Sequence, residues 1–526
     1  MSFKMKDRKN ILELPRLILT EKISEMILNK FHIKTIRQDN KEEIWIYKDG
    51  IYVENGRSYI EQFARDILEH KYKKTLMNDI VEKVKVATYI KSEDFFFHED
   101  YNKYEIPVNN GILNVKTKKL SKFDPKKIYF AKLKWDYNPQ SKCKETKKFL
   151  NSTLPEEDVK MVVQFLGFCL IRDYIVDKCF LFTGSGANGK SLILKLYRRF
   201  LGTKNCTNLT LHDMKDSSDN FSIINLHGKL CNISGDLSNN TIKTTGLFKR
   251  LTTGDLISAN RKFKSSIEFC NTAKMVFNAN ELPYVQDDSD GFFRRWEIIE
   301  FPYKFVPKNE IKHWRTKNNK EKIKTADPDI LKPVLNKDSE MEGLLNWVLE
   351  LTEPLIKNKS FYKSTSSMEN KKKWQRKSNS FLSFFEDNLC VDYNNYETKA
   401  DIRREYIKYC QKHAVKILSD KSISITMSNK GIVTDRKQFD DGRDYIWSGV
   451  KFKETKKIET ESDQEKKRIK KDLLNKIKEK ELISTQNLLS FFSPKDHIYI
   501  ENNILPDLRS TGEIYESKKG YWRSLL

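Results

Sequence analysis

Residues Cys179–Leu201 read CFLFTGSGANGKSLILKLYRRFL, and no other stretch of the chain constrains the backbone so closely. The run Gly184, Ser185, Gly186, Ala187, Asn188, Gly189, Lys190, Ser191 fits G-x-x-x-x-G-K-[ST]. Cys179–Thr183 ahead of it is a short apolar and aromatic run of strand type. Leu192–Leu201 behind it has helical spacing and is closed by Gly202. A strand is therefore expected to turn through a glycine-rich loop into a helix. Backbone N–H groups at such a helix N-terminus, helped by the helix dipole, cradle phosphate oxygens. Lys190 is spaced to reach β- and γ-phosphates, and the Ser191 hydroxyl to ligate Mg²⁺, so ATP and Mg²⁺ are the expected ligands.

A chain of 526 residues is too long for one compact core, and several domains are expected. Its 97 Lys plus Arg against 73 Asp plus Glu leave a net charge of +24, which favours a polyanionic partner: nucleic acid first, an anionic membrane second. A Lys/Asn-rich composition inherited from an AT-rich genome is the plainer source of the same excess. The eight cysteines form no C-x-x-C pair and have no histidine at zinc spacing, so free thiols in a reducing compartment are expected. The opening MSFKMKDRKN does not read as a signal peptide. The longest apolar run, Val162–Ile171, is too short to cross a bilayer, and a soluble cytoplasmic location is expected.

Residues 1–145 read as a mixed α+β domain. Glu42–Glu54 alternates as a hairpin turning at Asp49-Gly50, a helical stretch covers Ile60–Val86, and Asn109–Leu120 is a further strand-and-turn unit. No D-x-D pair lies on a strand here, which argues against a priming or polymerising two-metal site. Residues 146–360 carry the chemistry. Gly228–Asp236 is an apolar strand ending in a carboxylate, where Asp236 can hold Mg²⁺ beside the loop. Only one acid follows this strand, after Gly235. Ala273–Asn280 is a strand ending in an amide that can orient an attacking water or meet a γ-phosphate. Asn280 is the first candidate and Asn278 its rival. Arg294 and Arg295 open a further apolar strand and are candidates for stabilising transition-state charge at a neighbouring subunit's phosphate. Gly246–Phe269 includes a turn at Thr253-Gly254-Asp255 and then alternates. It places Arg261, Lys262 and Lys264 near a hairpin tip suited to gripping a nucleic-acid backbone.

The series GSGANGKS, GKLCNISGD, FKRLTTGDLISANRKF, AKMVFNANELP and DGFFRRW resembles a superfamily 3 helicase, and more narrowly the helicase half of phage, plasmid and poxvirus-type primase-helicases. IWIYKDGIYVE, NNGILNV and DYNPQSKC resemble the domain that precedes the ATPase in that family, and EMEGLLNWVLE resembles its E-x-x-G-x-L-N-W signature. The resemblance covers roughly residues 40–450. It implies an AAA+-like P-loop ATPase core with a parallel sheet, working as a hexameric ring with ATP sites between subunits and moving 3′ to 5′ on DNA. It assigns ATP·Mg²⁺ to Lys190 and Ser191, the metal to Asp236, γ-phosphate sensing to Asn280, and an arginine finger in trans to one of Arg294/Arg295. The Leu256–Phe269 hairpin falls in the DNA channel. The single acid and the absence of a primase domain ahead of residue 40 depart from the family, so priming is expected from a separate primase or polymerase.

Residues 361–454 read as helices followed by a small sheet, a winged-helix order, with Ser360–Ser378 at the start as a basic linker or exposed helix. Residues 455–471 read as a charged linker. Residues 472–526 read as three helices and a hairpin turning at Lys518-Lys519-Gly520, a winged helix-turn-helix similar to the C-terminal module of archaeal MCM helicases. Lys518, Lys519, Tyr521 and Arg523 are its candidate DNA contacts. Two functional readings stand at this point. One is a ring DNA helicase replicating a plasmid, virus or integrated element. The other is an ATP-regulated origin-binding initiator or loader that does not unwind processively.

Overall fold

The computed structural model describes residues 12–524 except 39–40, 97–101, 215–220, 238–241, 243–244, 263, 286–288, 318–321, 440–441, 454–460, 481 and 511–512. It divides into two compact units, Met1–Phe385 with Lys399–Gly431, and Glu386–Thr398 with Ile432–Leu526.

The first unit begins with α1 (Arg16–Lys30), then β1 (Ile33–Gln38), β2 (Lys41–Lys48) and β3 (Ile51–Val53). Helices α2 (Gly56–Leu68) and α3 (Lys74–Ala87), the short β4 (Tyr89–Ile90) and α4 (Ser92–Phe96) follow. The strands form a sheet in the order β3-β2-β1-β4. Its apolar residues share a core with Ile23, Ile27, Ile60 and Ile80 from the helices. The expected hairpin is present: β2 and β3 pair antiparallel across Asp49 and Gly50, whose φ values of 50° and 100° suit a two-residue turn of mirror type.

A meander of β5 (Glu105–Val108), β6 (Gly111–Asn114) and β7 (Lys119–Ser121) comes next, then α5 (Lys144–Thr153) and α6 (Glu156–Leu170). Ile106, Val108 and Leu113 of the meander are buried in the same core as Phe149, Val162 and Phe165 of these helices. The central layer is built from β8 (Cys179–Thr183), α7 (Lys190–Leu201), β9 (Cys206–Thr207), β10 (Cys231–Asp236), α8 (Gly246–Leu251), the hairpin β11 (Leu256–Arg261) and β12 (Lys264–Cys270), β13 (Lys274–Ala279), α9 (Asp290–Phe293) and β14 (Trp296–Glu300). Five strands pair in the order β14-β8-β13-β10-β9, every pairing parallel. β8 and β13 are buried along their whole length, as strands covered on both faces must be. Side chains alternate between two cores: Phe180 and Phe182 face the one holding α6 and α7, while Cys179 and Leu181 join the one holding α8 and the β11–β12 hairpin.

β15 (Lys304–Val306), α10 (Ile311–Lys317), β16 (Ile323–Thr325), α11 (Lys332–Leu335), α12 (Asp338–Asn358) and α13 (Thr365–Ser378) complete the layer. The expectation of a linker or exposed helix at Ser360–Ser378 is overturned. Trp374 of α13 is fully buried against Trp296 of β14 at 5.1 Å between ring centroids, and its indole N–H donates to Pro283 O at 2.6 Å. One large aromatic on an otherwise basic helix is enough to anchor it. Helix α14 (Ser380–Asn388) is followed by β17 (Leu389–Thr398), α15 (Lys399–His413), α16 (Asp420–Asn429), β18 (Val433–Phe439) and β19 (Gly442–Phe452), and the three strands form a sheet in the order β17-β19-β18. In the second unit, α17 (Glu461–Lys478), β20 (Ile483–Ser484), α18 (Thr485–Leu489), α19 (His497–Tyr499), α20 (Leu505–Ser510), β21 (Ile514–Lys518) and β22 (Tyr521–Ser524) surround a small core that includes Leu473, Leu488, Leu508 and Trp522. The Ser484 hydroxyl caps α18 by accepting from Asn487 N.

The motif EMEGLLNW proves to be a clamp. Glu340 is buried, and its carboxylate accepts from Thr146 N at 2.9 Å, Thr146 Oγ1 at 2.8 Å and Glu145 N at 3.2 Å, satisfying the first turn of α5. Asn346 Nδ2 donates to Asn138 O and Ser141 O, and Ser141 Oγ donates to Glu342. Asn109 and Asn110 bind Asp136 and Tyr137 from the other side. Two motifs far apart in sequence thus close on a third, the segment Asp136–Cys143. At Gly343 a Cβ would lie 2.1 Å from the carbonyl carbon of Lys142, so only glycine admits the helix this close. Gly343→Ala is expected to cost about 1–3 kcal/mol through overpacking, read as a lowered thermal midpoint, while replacing the exposed Glu353 on the same helix leaves it unchanged.

Candidate functional site at the edge of the parallel sheet

β8 delivers the chain into the loop at Gly184, where φ is +147° and a Cβ would lie 2.2 Å from Asn188 Nδ2. Gly189 (φ +92°) precedes α7, and there a Cβ would lie 2.6 Å from Thr153 Cγ2. Ala187 also has positive φ, at +51°, a conformation that costs an L-residue about 1–2 kcal/mol. Its carbonyl is held by Phe305 N at 2.8 Å, so β15 pins the loop from outside. The helix start leaves backbone N–H groups without intrahelical acceptors.

Lys190 is buried. Its ammonium donates to Gly184 O, closing the loop on itself, and to Asn280 Oδ1 at 3.2 Å. Asn188 is 4% exposed, and its Nδ2 is a buried donor with no acceptor among the described residues. Ser191 stands exposed beside them. A cavity of about 530 Å³ opens over the loop, lined by the Gly186–Leu192 run and by both Asn278 and Asn280. Its far wall is Phe149 and Thr153 of α5 with Phe305, Pro328 and Ile330. These wall residues belong to no motif. Phe305, Pro328 and Ile330 come in from beyond residue 300 around the parallel pair β15–β16, and a local pattern carries no signal for it.

The parallel register lines up the other candidates. Asn278 pairs with Phe182 and with Asp236, and Ala279 pairs with Thr183, so the ends of β8, β13 and β10 meet at one edge. Asp236 closes β10 after a register shift beginning at Ile233; its side chain lies outside the described residues. Gly235 sits in that irregularity, and a Cβ there would meet nothing within 4 Å, so packing does not impose the glycine. The site is a set of N–H donors, an ammonium and amides at a helix start, which can hold and neutralise phosphate oxygens.

The two arginines part company. Both precede β14, whose Trp296 pairs with Cys179 at the start of β8, so they stand at the opposite edge of the sheet, roughly 15 Å along the strand from the loop. Arg295 is 5% exposed; its guanidinium donates to Thr252 Oγ1 at 3.0 Å and to Gly291 O, and burial lowers its pKa. Arg294 is exposed.

The hairpin β11–β12 has the expected antiparallel pairing, with Arg261 opposite Lys264; Phe263 lies outside the described residues. Its tip is not a bare basic loop. Glu43 of β2 pairs with Arg261 at 2.6 Å and with Lys264 at 2.9 Å, and Lys264 also reaches Glu54 at 3.5 Å. Lys262 is exposed. In the second unit Lys518, Lys519 and Arg523 are exposed and Tyr521 is half-buried. The Lys518 ammonium lies 4.2 Å from the Tyr521 ring centroid, and Gly520 O accepts from Thr485 N at 2.8 Å to hold the turn.

Comparison with known proteins gives matches on both sides of residue 160. Residues 25–155 match the family described as "D5 N terminal like", and residues 182–295 match a "Family of unknown function (DUF5906)". The chain is 26% identical over 305 residues to "Putative helicase L207/L206" of Acanthamoeba polyphaga mimivirus, covering 55% of this chain and 30% of that protein. It is 24% identical over 347 residues to "Putative helicase 121R" of Invertebrate iridescent virus 3, covering 60% and 36%. It is 23% identical over 261 residues to "Putative helicase V13" of Sputnik virophage, covering 47% and 32%. The chain therefore spans about a third of the length of the curated relatives it matches. A solved structure, the A form of the NrS-1 C terminal region, aligns with a TM-score of 0.46 at 13% identity over 81% of this chain and 98% of that one. Among the described residues no helix is long and apolar enough to cross a membrane.

The contrast between the arginines is directly measurable. Arg295→Ala is expected to cost about 1–3 kcal/mol of stability by removing the partner of buried Thr252, and Arg294→Ala less than about 0.5 kcal/mol, both read from urea midpoints.

Proposed function

We propose that this chain is the motor of a nucleic-acid helicase with an AAA+-related core, driven by ATP hydrolysis at the Gly184–Ser191 loop and acting in replication of a virus or other mobile element. The observation that carries the reading is the register of the parallel sheet. It sets the phosphate loop, Asn280 and Asp236 at one edge and Arg294 at the other. The similarity to viral proteins named putative helicases agrees with it.

The donor set fits a nucleoside triphosphate. Among the described residues Asn188 Nδ2 is a buried donor without an acceptor, and the Lys190 ammonium rests on a carbonyl and an amide that phosphate oxygens can replace. Mg²⁺·ATP, when bound, supplies the phosphoanhydride whose hydrolysis drives movement. The loop N–H groups and Lys190 hold the phosphates, Ser191 and Asp236 hold Mg²⁺, and Phe149, Phe305 and Ile330 offer the base an apolar wall. Asn280, already bonded to Lys190, is placed to orient the attacking water, with Asn278 behind it on the same strand. Arg294 cannot serve its own loop from the far edge of the sheet. It acts in trans as the finger, which requires a ring of subunits, taken as a hexamer; Arg295 keeps a structural part.

Lys262 at the hairpin tip, with Arg261 and Lys264 once released from Glu43, grips the translocating DNA strand, and movement is 3′ to 5′ by the family resemblance. The order helix, strand, three helices, strand, strand in α17–β22 supports a winged helix, with Lys518, Lys519, Tyr521 and Arg523 on its wing as DNA contacts. The Glu43 pairing also favours the second reading, an ATP-regulated initiator whose hairpin stays docked.

The test compares the native chain with Lys190→Ala for ATP hydrolysis and for strand displacement on forked DNA. Both activities are expected to fall by about 10³-fold or more in the variant; DNA binding and hydrolysis without displacement in the native chain would support the initiator instead. Doping native subunits with Arg294→Ala is expected to lower hydrolysis more than in proportion to the mutant fraction, because each finger serves a neighbour. Glu43→Gln is expected to tighten single-strand binding and steepen its salt dependence, by about 0.7 per freed cation on a log–log plot.

A further inference from the structure

On the side of the first unit away from the phosphate loop lies a cavity of about 590 Å³, within the range of small-ligand sites. Lys132, Lys134, Lys204 and Lys229 converge on it from the segment after β7, the turn after α7 and the turn before β10. None of the four forms an ion pair among the described residues. Glu54 is the carboxylate in the lining, and it is already engaged by Lys264. Lys229 Nζ donates to the backbone carbonyl of Lys204 at 2.6 Å, which fixes one ammonium against the turn that carries another. Burial lowers the pKa of Lys132 against the opposing pull of Asp49 and Asp136, and its ammonium lies 5.0 Å from the Phe123 ring centroid. Gathering like charges in a partly desolvated hollow is unfavourable unless an anion is the intended occupant.

The remaining wall is aromatic. Trp45 and Phe130 line the cavity with ring centroids 5.5 Å apart, and Phe130 stands 4.8 Å from the His227 ring. Burial pushes the His227 pKa down to about 3, so that ring is neutral and stays a stacking surface. Trp45 is 6% exposed, and its indole N–H is buried without an acceptor among the described residues. A second cavity of about 380 Å³ shares Phe130, His227, Gly228 and Lys229 with the first and runs on to Gly254, Phe269 and Cys270 at the base of the β11–β12 hairpin. Cations for phosphates, rings for bases and room for more than one nucleotide lead toward the hairpin.

We infer that this lysine and aromatic hollow binds a segment of single-stranded nucleic acid, as a site distinct from the ATP loop and continuous with the hairpin. The inference does not rest on ATP hydrolysis, so it is tested in the full chain carrying Lys190→Ala. Anisotropy of a short fluorescent oligothymidylate is followed over a salt series. Lys132→Gln with Lys204→Gln is expected to weaken binding about ten-fold and lower the log–log salt slope by about 1.4. Lys134→Gln alone, at an exposed position with little risk to the fold, is expected to lower the slope by about 0.7. Photocrosslinking with 4-thiothymidine in the strand is expected to label peptides holding Trp45 or Phe130. Unchanged affinity and slope in both variants, with crosslinks confined to the hairpin, would overturn the inference. So would complete displacement of the strand by free ATP or thymidine monophosphate, which would mark a mononucleotide pocket.

Discussion

The parallel pairing of β8 with β13 on one side and β14 on the other is the constraint from which the rest follows. A strand paired on both edges and covered on both faces has no freedom of register, because a one-residue slip would exchange Phe180 and Phe182 with Cys179 and Leu181 between two different cores. Once that register is set, the loop leaves the sheet at the edge where β13 and β10 also end. The same register sends the arginine pair to the opposite edge of the sheet.

Around this layer the packing is cemented by polar groups that are buried and satisfied. Glu340 spends its charge on the first turn of α5, and the asparagines at 109, 110 and 346 close on the strap between the meander and that helix. A buried carboxylate accepting two backbone N–H groups and a hydroxyl is tolerated because each lone pair finds a donor. The clamp holds α5 in place, and α5 supplies Phe149 and Thr153 to the cavity over the loop. What reads in sequence as a family signature is thus a support for the site and lies outside the chemistry.

The excess positive charge is not spread evenly in purpose. Arg261 and Lys264 at the hairpin tip are neutralised by Glu43, while the lysines around the rear hollow converge with Glu54 already taken. Exposed and paired cations are worth little to stability at a surface, so their arrangement bears on what the chain meets in solution more than on how it folds.

Much of this was legible in the chain itself. The strand, glycine-rich loop and helix of Cys179–Leu201, the hairpin at Asp49-Gly50, the strands ending at Asp236 and Ala279, and the C-terminal hairpin are local: their turn residues and apolar spacing decide the backbone within a few positions. Ser360–Ser378 was misleading because its average composition is basic, and burial of one tryptophan against β14 outweighed it. Only the tertiary structure separated Arg294 from Arg295, since a guanidinium next door in sequence is buried or exposed according to what packs beside it. Only it joined Asn109, Asp136 and Glu340 into one clamp, paired Glu43 with Arg261, and set lysines from three turns around one hollow. Those are contacts between residues scores of positions apart. No local periodicity encodes them; they exist because the parallel sheet brings its crossovers back to the same place.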